Sequence, residues 1–97
     1  MTVEDFIRSI DGTAPPPGLS LPLQALWWDR KGDWEKAHSC AQDEPDSNGS
    51  WVHAYLHRVE GDLGNAGYWY SRAGRTAHSG ALQQEWDEIV SHLLALG

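Results

Sequence analysis

Two stretches of the chain carry the same punctuation: ALWWDRKGDWEKA, from Ala25 to Ala37, and AYLHRVEGDLGNA, from Ala54 to Ala66. Laid over one another at an offset of 29 residues, they match Ala25 with Ala54, Gly32 with Gly61, Asp33 with Asp62, and Ala37 with Ala66. Each match has a physical reason. A glycine reaches the left-handed conformation that closes a helix, and an aspartate just after it accepts from the free amides that open the next. Small alanines let the two paired helices approach closely. Each stretch therefore predicts one helical hairpin.

Working outward, Ser20 stands where it can cap the helix that Gly32 stops, with Pro22 tolerated in its first turn. Asp33 opens a third helix through Gln42, carrying Trp34, Ala37 and Ala41. The acidic run Asp43 to Gly49 (DEPDSNG) reads as a loop, and Ser50 as the start of a fourth helix with the stripe Val52, Tyr55, Leu56, Val59. Asp62 caps a fifth helix that Gly74 ends, with Leu63, Ala66, Tyr70 and Ala73 as its core stripe. The clearest periodicity belongs to a sixth helix: Leu82, Trp86, Ile89, Val90, Leu93, Leu94. Before all of these, Thr2 and Asp5 form a capping box for a short helix from Val3 to Ile10, and three consecutive prolines make Asp11 to Gly18 a non-helical linker. The expected fold is all-α, five to six helices in antiparallel hairpins with a C-terminal packing helix. Its organisation is residues 1–18 as N-terminal helix and linker, then residues 19–97 as a single helical domain.

The paired units resemble tetratricopeptide or Sel1-like repeats. The second copy carries the resemblance better, with Ala54, Gly61, Asp62, Ala66, Tyr70 and Ala73 at the small and aromatic positions of such repeats. The first keeps Ala25, Trp28, Gly32, Asp33 and Ala37. Both lack the proline that ends a tetratricopeptide unit. The longer run HAYLHRVEGDLGNAGYWYSRAGR, from His53 to Arg75, is similar to a signature of short bacterial and fungal proteins. The repeat resemblance implies a concave helical array that presents a face to a peptide or small ligand.

Composition narrows the partners. A net charge of -7 repels phosphate backbones, and no basic stripe offsets it, which argues against nucleic acid. A single cysteine, Cys40, forms no internal disulfide and points to a reducing compartment. No apolar stretch approaches the ~20 residues that span a bilayer, and the N-terminus lacks the basic and apolar regions of a secretion signal. The expectation is a cytoplasmic protein without membrane contact. Six tryptophans supply large apolar surfaces, each with an indole N–H that wants an acceptor when buried.

No catalytic constellation and no cofactor motif stands in the sequence. The leading expectation is a non-enzymatic adaptor that presents a polar-aromatic surface to a protein, peptide or small ligand. Its candidate residues are His53, His57, Glu60, Asn65, Trp69 and Arg72, with Trp69 also suited to packing under the sixth helix. The alternative is a metal protein or small enzyme using His53 and His57, whose i,i+4 spacing puts both rings on one helix face. A third ligand would come from His78, Glu60, Asp62 or His38. The bland account of the pair bonds one histidine in a hairpin interface and leaves the other in water. A third expectation is a homodimer joined through the apolar stripe of the sixth helix.

Overall fold

The two matched glycines behave alike. Gly32 has φ 88° and Gly61 φ 84°, both left-handed. The amide that follows each reaches back to close the preceding helix: Asp33 N donates to Trp28 O and Asp62 N to His57 O, both at 2.9 Å. The Asp33 carboxylate accepts from Lys36 N at 3.1 Å, and Asp62 accepts from Asn65 N at 3.2 Å. All four matched alanines are buried. The 29-residue offset is therefore a repeated turn geometry as well as a repeated string.

The structure, a computed structural model, describes residues 1–43 and 46–96. Six helices follow in order: α1 Val3–Ser9, α2 Leu21–Lys31, α3 Trp34–Gln42, α4 Ser47–Val59, α5 Leu63–Ala73 and α6 Leu82–Leu96. The fold is all-α, with no strand among the described residues. No helix there is long and apolar enough to cross a membrane. Hairpins α2–α3 and α4–α5 stack through α3 on α4, while α6 lies across α4 and α2 and also meets α1. α5 packs mainly along α4, and its Tyr70 reaches Glu85 on α6.

The core is aromatic at its centre. Trp27, Trp86 and Phe6 are fully buried together with Leu26, Val52, Leu56, Ile89 and Val90. The indole donors find acceptors: Trp86 Nε1 donates to Leu26 O and Trp27 Nε1 to Ser9 Oγ, each at 3.1 Å. Phe6 packs on Trp86 with ring centroids 5.8 Å apart, so α1 shares the core of the helices that follow it. Truncating a tryptophan buried in this way costs about 3–5 kcal/mol.

Four local expectations change. α4 begins at Ser47 rather than Ser50: Asp46 is its cap, accepting from Gly49 N at 2.9 Å, and Gly49 and Ser50 are buried in its first turns. Packing there outweighs the weak helix propensity of Ser-Asn-Gly. The remainder of the expected loop, residues 44 and 45, lies outside the described residues. Ser20 occupies the N-cap of α2 but makes no side-chain cap bond. Val59 and Leu63, assigned above to core stripes, are exposed at 37% and 69%. They flank the turn between α4 and α5, at the open end of that hairpin. The centre of the α6 stripe, by contrast, faces inward, with Trp86, Ile89, Val90 and Leu93 buried, Leu94 partly so and Leu82 exposed at 38%.

Candidate metal centre

His53 and His57 both face inward. Their rings stack one helical turn apart, 5.0 Å between centroids and 16° between planes. Both are buried, which corrects the expectation that they lie on an open face or that one is left in water. The reason is the repeat: stacking one hairpin on the next places α3 over the polar side of α4. From α3 comes His38, four residues beyond Trp34 and so on the same face. Its Nε2 lies 2.7 Å from His53 Nε2, with the two rings nearly perpendicular at 80°. It crosses His57 at 74°, centroids 5.6 Å apart. The three histidines place one ring nitrogen each within 4.8 Å of the others.

Aromatic walls hold the rings in place. Trp34 stacks on His38 at 4.7 Å, and its indole N–H is anchored to Leu56 O at 3.1 Å. Trp69, from α5, stacks on His53 at 3.9 Å and 19°. On the far side of His57, Nδ1 donates to Glu60 Oε1 at 2.7 Å. That bond fixes the ring's orientation and leaves Nε2 as the nitrogen free for a metal. A carboxylate behind a histidine is the usual outer partner of a metal-bound imidazole, because it raises the basicity of the opposite nitrogen.

Burial tunes the cluster towards neutral rings. Desolvation, with His38 and His57 nearby, pushes His53 down to about 4. Desolvation and His57 also lower His38, although Glu60 works against them. A neutral imidazole has the free lone pair that a metal requires.

Of the residues singled out from sequence, His53, His57, Glu60 and Trp69 therefore come together. Arg72 lies outside them, exposed, its guanidinium 5.3 Å from the Trp69 ring and bonded to Tyr68 Oη at 3.1 Å. Asn65 is not part of the cluster: its Nδ2 donates to Asp62 Oδ2 at 2.7 Å, completing the α5 cap. His78 sits elsewhere, accepting from Gly80 N at 3.0 Å and facing Glu88 at 3.4 Å. His57, Glu60 and Asp62 form a second close trio, but Asp62 is committed to capping. Of the four possible third ligands, the fold selects His38. Trp34 was missed as a site residue; its i,i+4 relation to His38 was the available signal.

A second polar cluster lies on the other side of α4. Glu85, on the buried stripe of α6, is fully enclosed. It accepts from Arg58 Nη1 at 2.6 Å, Trp51 Nε1 at 3.1 Å and Tyr70 Oη at 2.7 Å. Burial, followed by the adjoining carboxylate, pushes the Tyr70 hydroxyl well above its ordinary range. The sequence reading did not single out Glu85. Its position between Leu82 and Ile89, on the apolar side of α6, was the clue.

Comparison with known proteins adds no name to this geometry: the chain matches no family model, no curated protein and no solved structure.

Proposed function

We propose that the chain is a metal-binding helical module whose ligands are His38, His53 and His57, with a first-row divalent cation, zinc foremost, as its ligand. The observation that carries this is the convergence of three imidazoles from two hairpins, one of them backed by a carboxylate. His38 and His53 bring their Nε2 atoms to 2.7 Å, where the two nitrogens share one proton at most. A cation satisfies all three at once. Imidazole donors suit zinc, copper and nickel, and zinc accepts a tetrahedral set without ligand-field preference.

The fit needs little movement. Zinc–nitrogen bonds of about 2.0–2.1 Å hold tetrahedral donors roughly 3.3 Å apart. His38 and His53 would part by about half an ångström, while the wider pairs, no more than 4.8 Å apart, would close towards the same spacing. Side-chain rotation within the aromatic walls supplies shifts of that size. Neutral imidazoles bind through their free lone pairs, so binding weakens only where acid protonates the rings.

Titration calorimetry of untagged protein with zinc tests the reading. The expected result is one ion per chain, with binding lost on His38→Ala. Equal uptake by wild type and His38→Ala would overturn it.

A second reading keeps the adaptor role on the outer side of α5, where Leu63 and Tyr68 are exposed at 69% and 55% beside Arg72. Burial of His53 and His57 removes the centre of the surface first expected to serve it.

A further inference from the structure

The coordination number of this centre decides what it can do. Structural zinc sites close with four protein ligands, whereas reactive ones keep three and leave a position for solvent or substrate. Here three donors converge, and among the described residues no fourth histidine, cysteine, aspartate or glutamate joins them within the same reach. The nearest acids are otherwise engaged. Glu60 gives Oε1 to His57 Nδ1. Asp62 accepts from Asn65 N with one oxygen and from Asn65 Nδ2 with the other.

The arrangement of the rings also leaves a direction free. His53 and His57 are parallel and come from one helix, and His38 crosses both from the opposite helix. The three nitrogens bound one triangular face, and a tetrahedral ion seated on it directs its last position away from that face. Trp34 and Trp69 wall the flanks as stacked indoles, offering apolar surface and no lone pair of use to a metal. His38 and both tryptophans are only partly buried, so the edge of the cluster meets solvent.

Resting on the metal-binding reading above, we infer that the loaded centre is three-coordinate through protein and takes its fourth ligand from solution, as water or a small monodentate anion such as a carboxylate. That makes it a Lewis-acid site. Aromatic flanks favour slim ligands over bulky chelates, and a cation held by neutral ligands keeps its full double charge to attract an anion.

Cobalt(II) replaces zinc in such sites and reports its ligands through visible absorption. The test loads the untagged full chain with one equivalent of cobalt, titrates azide, and measures cobalt per chain after desalting. A saturable shift and intensification of the visible bands, with cobalt still at one per chain, is the expected result. Bands that ignore azide while cobalt stays bound would mean a closed centre and overturn the inference, leaving the metal site standing. Failure of cobalt to bind wild type any better than His38→Ala would remove the metal reading itself.

Discussion

Two buried polar clusters share α4 and differ in how they are balanced. Trp51 and Arg58 stand seven residues apart, on nearly the same helix face. His53 and His57 point roughly 200–240° around the axis from Trp51, on the opposite side. On the first face, Glu85 brings one negative charge to Arg58 and receives further hydrogen bonds from Trp51 and Tyr70. Charge cancels and every partner is occupied. The second face gathers ring nitrogens instead: three imidazoles, two of them 2.7 Å apart nitrogen to nitrogen, with a carboxylate behind the third. One cluster carries its own counter-charge, and the other is the one we propose to bind a cation.

The largest effect should come from breaking the charge-balanced cluster. Glu85→Ala leaves Arg58 buried beside Tyr70 and Trp51 without its counter-ion, and such a loss costs about 3–5 kcal/mol. Urea denaturation of the metal-free protein should show it. His38→Ala in the same assay should cost only about 1 kcal/mol, the worth of a neutral hydrogen bond at a half-buried position. If both substitutions cost the same, the clusters do not differ in kind.

Zinc should separate them next. An ion that binds only the folded chain stabilises it by about 2.7 kcal/mol at one hundred times its dissociation constant. For a domain of this size, that raises the melting temperature by about 10 °C or more. Wild type should gain this in a thermal melt, while His53→Ala should gain almost nothing. A rise of the same size in both proteins would place the ion elsewhere.

This contrast also marks how far the sequence could be read. The hairpins were legible because their signals are local: a left-handed glycine and a capping aspartate act within one turn, and Gly32–Asp33 and Gly61–Asp62 state them twice. The all-α class followed from the same signals. Two of the three clustered histidines were legible for a similar reason, since His53 and His57 lie on one helix. Burial of that pair and the choice of His38 were not, because both depend on α3 lying over α4, which no spacing rule specifies. Glu85 was hidden differently. A charge on an apolar stripe reads as a boundary residue until Arg58, 27 positions away, is seen to reach it. The α4 start was misplaced because Ser-Asn-Gly is a poor helix opening that only tertiary packing rescues.

Glu60 tests whether the second cluster is built for a metal or merely tolerates one. Its bond to His57 Nδ1 should make the opposite nitrogen a better donor. Losing such an outer carboxylate weakens metal affinity about 10–100-fold. Glu60→Gln keeps the size and an acceptor oxygen but loses the charge, so zinc titration should show affinity falling within that range at unchanged stoichiometry. Unchanged affinity would make Glu60 a surface neighbour of His57 and nothing more.

The smallest effect is the acid response of the metal-free chain, and its sign separates the clusters once more. His53 titrates near 6.5 when unfolded and is pushed down to about 4 when folded. The unfolded chain therefore binds the proton first as pH falls. Stability from this group is complete above about pH 6.5, drains away between 6.5 and 4, and changes no further below that. Partial contact of the cluster with solvent reduces the loss to about 1–2 kcal/mol. His38, lowered in the same direction, adds to it. Carboxylates act elsewhere: Asp5 and Asp62 are held below 3.8 by their cap bonds, so their losses begin at lower pH. Asp29, raised by burial, works in the opposite sense. Urea midpoints at pH 7 and pH 4.5, with chelator present, should fall for wild type and fall less for His53→Gln. An equal fall in both would assign the acid sensitivity to groups outside the histidine cluster.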